Sequence, residues 1–146
     1  KRLFETEIPE LVDGTIELYS VIREPGVRSK VAVYSNDEKV DPVGACIGER
    51  GSRIASILKE LNGEKVDLVR YSDDAATFIA NALAPAKDVT VNIIDPVKRE
   101  ALAIVNDENL SLAIGRKGTN IKLASRLTKY KIEVKTLKQI NEEGNK

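Results

Sequence analysis

Cys46-Ile-Gly-Glu-Arg-Gly-Ser-Arg-Ile54 and Ala113-Ile-Gly-Arg-Lys-Gly-Thr-Asn-Ile121 are two copies of one pattern: small residue, Ile, Gly, x, x, Gly, Ser or Thr, x, Ile. The first glycines stand at 48 and 115, an offset of 67 residues. The likeness continues on both sides. Upstream, Val31-Ala-Val-Tyr-Ser-Asn-Asp37 matches Leu102-Ala-Ile-Val-Asn-Asp107, and downstream, Lys65-Val-Asp-Leu68 matches Lys131-Ile-Glu-Val134. Three blocks in the same order mark an internal repeat. Asn36 lies 12 residues before Gly48 and Asn106 lies 9 before Gly115, so the first copy carries a short insertion near Asp41-Pro42.

Working outward, each copy reads helix, strand, strand, helix, helix, strand. In the first, Glu5 to Val12 is a short helix stopped by Asp13-Gly14. Ile16, Leu18, Ser20 and Ile22 keep a strand period, Pro25-Gly26 turns, and Lys30 to Ser35 is a second strand. A helix from Val43 ends at Gly48. Another follows Gly51 with Ile54, Ile57, Leu58 and Leu61 on one face and Asn62-Gly63 as its C-cap, and Val66 to Arg70 closes the unit as a strand. In the second, Ser72-Asp73-Asp74 caps a helix running to Leu83, and Asp88–Ile94 and Glu100–Val105 are strands. Glu108–Ile114 and Thr119–Leu127 are helices, and Lys131–Thr136 is the last strand. The expected domains are 1–72 and 73–138, with 139–146 a disordered tail. No Gly/Ser- or Pro-rich linker separates the units, so rigid coupling is expected.

The candidate site is the pair of short loops. A glycine at each end lets the backbone turn sharply and another backbone approach. The second glycine opens a helix, whose free amides and positive dipole end suit an anion. Arg50 in one loop, and Arg116 and Lys117 in the other, add charge, while Ile47, Ile54, Ile114 and Ile121 line an apolar groove alongside. Phosphate on one side and an apolar floor on the other suit an unpaired nucleotide. The candidate nucleotide-contacting residues are Ile47, Gly48, Glu49, Arg50, Gly51, Ser52, Arg53 and Ile54, with Ile114, Gly115, Arg116, Lys117, Gly118, Thr119, Asn120 and Ile121.

The pattern Ile-Gly-x-x-Gly-x-x-Ile resembles the KH domain, whose loop clamps the backbone of about four nucleotides. The element order resembles the prokaryotic, type II form of that α+β fold. Val40-Asp-Pro-Val-Gly-Ala-Cys-Ile-Gly48, the Gly-Glu-Lys-Val-Asp run from Gly63, and Phe78-Ile-Ala-Asn-Ala-Leu-Ala-Pro-Ala86 are similar to the NusA family of bacterial transcription termination/antitermination factors, as is Phe4-Glu-Thr-Glu-Ile-Pro-Glu-Leu-Val-Asp-Gly14. The resemblance covers the chain to about Leu137. It implies a monomeric, cytoplasmic module that binds single-stranded RNA of a nascent transcript. It also implies a longer protein with a polymerase-binding domain and an OB-fold domain, acting with RNA polymerase. Glu49 departs from the pattern, since a basic or neutral residue there would serve phosphate better.

Composition narrows the other function classes. The 146 residues carry 23 basic and 23 acidic side chains, so global charge gives no sign of a nucleic-acid partner. Local charge does: Ile114 to Lys138 holds eight basic residues against Glu133 alone, whereas Ile47 to Tyr71 holds five against four acids. Lys129, Lys131, Lys135 and Lys138 read as a solvated face, and Tyr19, Tyr34, Tyr71 and Tyr130 as strand packing. The absence of histidine removes the commonest metal ligand and general base. One cysteine, Cys46, excludes an internal disulfide, fits a reducing cytosol and reads as a buried apolar residue. Asp73-Asp74 and Asp107-Glu108 read as helix caps, not catalytic acids. No metal site, cofactor, catalytic constellation, P-loop or membrane span is expected. The opening Lys-Arg-Leu-Phe-Glu shows no signal peptide and reads as an internal start within a longer chain. A KH-like protein-interaction module with weak RNA binding is the competing class.

Overall fold

The fold places each Gly-x-x-Gly loop in the middle of a crossover between two parallel strands. Residues 2–144 are described by a computed structural model, which divides into two units, Lys1–Tyr71 and Ser72–Lys146.

In the first unit, α1 (Arg2–Glu7) and α2 (Pro9–Asp13) replace the single helix expected over 5–12. The break falls at Ile8, whose φ of −121° is extended, because the ring of Pro9 disfavours the helical region in the residue before it. β1 (Ile16–Glu24) pairs antiparallel with β2 (Arg28–Ser35), from Ile16↔Ser35 to Glu24↔Arg28, with a bulge between Leu18 and Ser20. β3 (Lys65–Arg70) pairs parallel with β2, from Arg28↔Lys65 to Val33↔Arg70. Parallel strands need a long connection, and α3 (Pro42–Ile47) and α4 (Ser52–Leu61) supply it. The extra residues of this copy lie in the connection 36–41 before α3. The core joins Phe4, Ile8, Ile16, Val31, Val33, Cys46 and Ile57. Tyr19 and Tyr71 stack with centroids 4.0 Å apart, and Tyr34 meets Tyr71 edge-on at 6.0 Å.

The second unit repeats the plan. α5 (Ala75–Ala82) is capped by Asp74, whose carboxylate accepts from the Thr77 amide. β4 (Thr90–Asp95) pairs antiparallel with β5 (Glu100–Val105), and β6 (Lys131–Thr136) pairs parallel with β5, from Glu100↔Lys131 to Val105↔Thr136. The crossover is α6 (Asp107–Ile114) and α7 (Thr119–Thr128). Asn106 is the N-cap of α6, with Asp107 and Glu108 in its first turn, where acids favour the helix dipole.

The expected disordered tail 139–146 is corrected by the structure. Residues 139–144 belong to α8 (Leu137–Gly144), and 145–146 lie outside the described residues. A capping box starts this helix. The Gln139 amide donates to Thr136 Oγ1 at 3.2 Å, and the Thr136 amide donates to Gln139 Oε1 at 2.9 Å. Among the described residues no helix is long and apolar enough to cross a membrane.

Candidate nucleic-acid interface

The two loops have nearly the same backbone. Gly48 (φ 78°, ψ 175°) and Gly115 (φ 78°, ψ 170°) occupy a region open essentially to glycine alone. Glu49–Gly51 and Arg116–Gly118 each form a single 3-10 turn. The third position is left-handed in both, Arg50 at φ 54° and Lys117 at φ 57°. Each turn closes through the amide of the second glycine, which donates to the carbonyl of the first at 3.1 Å.

The four glycines divide the work. A Cβ on Gly115 would lie 2.7 Å from the Asn120 backbone nitrogen, and one on Gly48 would lie 2.6 Å from Arg53 Cγ. The first glycine thus lets the post-loop helix pack against the loop. A Cβ on Gly118 would meet only Lys122 Cε at 3.8 Å, and one on Gly51 only Ile54 Cγ2 at 4.0 Å. The second glycine therefore faces open space, where a ligand can approach. Gly51 and Gly118 are the N-caps of α4 and α7, and neither helix has a side-chain cap there. The first amide of each helix donates to a loop carbonyl, Ser52 to Glu49 and Thr119 to Arg116, so what the helix start offers an anion is its positive dipole end and a first turn with no side-chain cap.

Arg53 and Asn120, both expected to touch RNA, are turned inward. Asn120 is 2% exposed. Its Nδ2 donates to the carbonyls of Ala113 (2.9 Å), Leu112 (3.1 Å) and Leu83 (3.1 Å), tying α7 to α6 and to the end of α5. Its Oδ1 has no hydrogen-bond partner among the described residues. Arg53 does the equivalent in the first unit: Nη1 donates to the Ala45 carbonyl at 2.9 Å and pairs with Glu10 at 2.5 Å. Ala45 and Leu112 are related by the same offset as Arg53 and Asn120. This position is a clamp that holds the loop between helices. Sequence reasoning missed the clamp and missed Glu10, although the shared offset was available as a signal.

The remaining site residues lie at or near the surface. Glu49, Arg50, Ser52, Arg116 and Lys117 are exposed, and Thr119 is half-buried. Ile47 is 37% exposed beside the first loop. Ile114 and Ile121 are half-buried beside the second, and Ile54 packs on the first unit's core.

Charge separates the units further. In the first, Arg23 pairs with buried Glu64, Arg28 and Lys30 pair with Asp67, and Arg53 pairs with Glu10. Burial raises the Glu64 pKa, but hydrogen bonds from Arg23, Ser29 and the Gly26 amide outweigh it and hold the carboxyl at about 2. Burial pushes the Lys30 ammonium down, against the opposing pull of Asp67. These cations are committed to structure. In the second unit, Lys135 pairs with Glu133. Arg116, Lys117, Lys122, Arg126 and Lys129 are exposed and have no carboxylate of the described residues within ion-pair distance. Cys46 is a free, fully buried thiol; burial raises its pKa to about 11, which makes it a poor nucleophile. No cluster of three or more metal-ligating side chains occurs among the described residues.

Comparison with known proteins agrees with this geometry. Residues 1–71 match the NusA-like first KH domain, and residues 75–142 match the NusA-like second KH domain. Similar curated proteins include the transcription termination/antitermination protein NusA of Halalkalibacterium halodurans, 51% identical over 144 residues covering 99% of this chain and 37% of that protein. The Bacillus subtilis protein of the same name is 49% identical over 144 residues, covering 99% of this chain and 38% of its own. That of Borreliella burgdorferi is 49% identical over 142 residues, covering 97% and 30%. The chain thus spans about a third of the length of these relatives. The crystal structure of APE1850 shares the fold, with a TM-score of 0.62 at 23% identity, over 92% of this chain and 96% of that one.

Proposed function

Because the chain belongs to the NusA family, as its two tandem KH domains, we propose that it binds single-stranded RNA through the two Gly-x-x-Gly loops. The observation that carries this reading is the second loop, where open space at Gly118, an uncapped helix start and the free cations Arg116 and Lys117 converge. Phosphates sit against the loop amides, and bases lie along Ile114 and Ile121. The first loop makes the weaker contact, because Glu49 flanks Arg50 and Arg53 is neutralised by Glu10. Only residues 71–74 separate β3 from α5, so binding at one unit brings the other close to the same strand. About four nucleotides per unit give a footprint of roughly eight to twelve.

The module recognises a nascent transcript, works without catalysis or cofactor, and serves a cytoplasmic transcription factor that acts with RNA polymerase. The names of the relatives support this role. The test is fluorescence-anisotropy titration with a random-sequence single-stranded 12-mer and with its duplex. The single strand should bind well over tenfold more tightly, since paired bases cannot enter a narrow aliphatic groove. Equal affinity would assign binding to the basic surface and favour an interaction module.

A further inference from the structure

We propose that Lys122, Arg126 and Lys129 form a phosphate track that carries an RNA strand beyond the second loop, along the outer face of α7. This extension rests on the reading that the loop itself binds RNA. A spacing of four residues puts Lys122 and Arg126 on one face of α7, and Lys129 follows at the C-cap of the same helix. All three are exposed and none faces a carboxylate of the described residues. The track begins at the loop, because Lys122 Cε lies 3.8 Å from where a Gly118 Cβ would stand. The helix rise separates the Lys122 and Arg126 backbones by about 6 Å, close to one phosphate step of an extended strand.

Helix stability explains part of the stripe but not its start. Arg126 lies in the last turn of α7 and Lys129 is its C-cap, where cations suit the dipole. Lys122 is the fourth residue of α7, near the opposite, positive end of the helix and beside Gly118. There a cation opposes the dipole and gains no ion pair, so a bound anion is what its position serves. The first unit has Ala55, Lys59 and Asn62 at the equivalent positions, so the track belongs to the second unit alone.

The test compares oligo(A) of four and of ten nucleotides, read by anisotropy for the longer and by NMR titration for the shorter. One variant combines Lys122→Gln, Arg126→Gln and Lys129→Gln. A control combines Lys65→Gln, Lys87→Gln and Lys98→Gln, which removes the same charge from exposed positions elsewhere. Each phosphate contact to a single strand contributes ~0.7 to the log–log salt slope, or about fivefold per tenfold dilution of salt. The track variant should therefore lose on the order of 10- to 100-fold for the 10-mer, with a slope shallower by about 2, and less than twofold for the 4-mer. The control should lose far less. Equal losses in the two variants would reduce the stripe to general charge, and equal losses on both RNAs would fold it into the loop site; either result overturns the track. A parent protein that binds neither RNA would instead overturn the RNA-binding reading, and the track with it.

Discussion

Replacing Gly118 with Asp probes the loop without attacking the fold. Gly118 has φ +73°, a left-handed conformation that Asp tolerates better than most residues, at a cost of about 1–2 kcal/mol. The added Cβ meets nothing nearer than Lys122 Cε at 3.8 Å, so the side chain has room. Its carboxylate then stands at the positive end of α7, where no side chain caps the helix, and beside the Lys122 side chain, and competes for the groups a phosphate would use. Removing one charge-assisted hydrogen bond costs about 1.5–3 kcal/mol, or roughly 10- to 150-fold in affinity. The same change at Gly51 should cost less. No lysine lies beside it, Glu49 is already there, and Arg53 is held by Glu10. Anisotropy with a single-stranded 12-mer measures both variants, with circular dichroism and thermal melts confirming the fold. Combined Arg116→Ala and Lys117→Ala should flatten the salt slope by ~0.7 for each phosphate no longer held. Folded Gly118→Asp protein that bound as tightly as the parent would refute the reasoning, as would Gly51→Asp being clearly the more damaging change.

Four further outcomes are expected. Gly115→Ala should destabilise the protein more than Gly48→Ala in urea denaturation, because its Cβ strikes the Asn120 backbone rather than the flexible Arg53 side chain. Asn120→Ala should reduce stability by ~2 kcal/mol, since the buried Ala113 carbonyl loses its side-chain donor while the Leu83 carbonyl keeps the Ala86 amide, and Asn120→Asp should be worse because acceptor then faces acceptor; denaturation curves measure both. Glu64→Gln should cost ~2 kcal/mol at pH 7, below the usual cost of a broken buried pair because Arg23 is half-exposed and can turn to water. The contribution of Glu64 is complete above its ordinary pKa of 4.5 and fades as pH falls towards about 2, where the folded carboxylate also protonates, so the parent should lose stability across that window more steeply than the variant. The Cys46 thiol should react with a disulfide reagent only on the timescale of unfolding, as timed by absorbance.

The repeated loop and the alternation around it were enough, by themselves, to determine the α+β plan, the two units and the place of the candidate site. Those properties are written locally: strand period, turn residues and glycine spacing act over a few neighbours. β5 and β6 fall at the bounds read from the sequence, and the other strands lie within a few residues of theirs. The break at Ile8 and the helix over 137–144 carried local signals too, Pro9 and the Thr136–Gln139 pair. What only tertiary structure decided is the direction of the polar side chains. Arg53 turns inward because Glu10, 43 residues away, and the Ala45 carbonyl meet it there. Asn120 does so because the Leu83 carbonyl, 37 residues away, comes within reach. Whether a charge is committed to the fold or left free for a ligand depends on partners distant in sequence, and the chain's composition, balanced at 23 and 23, hides that Arg116, Lys117 and Lys122, around the second loop, have no ion-pair partner among the described residues.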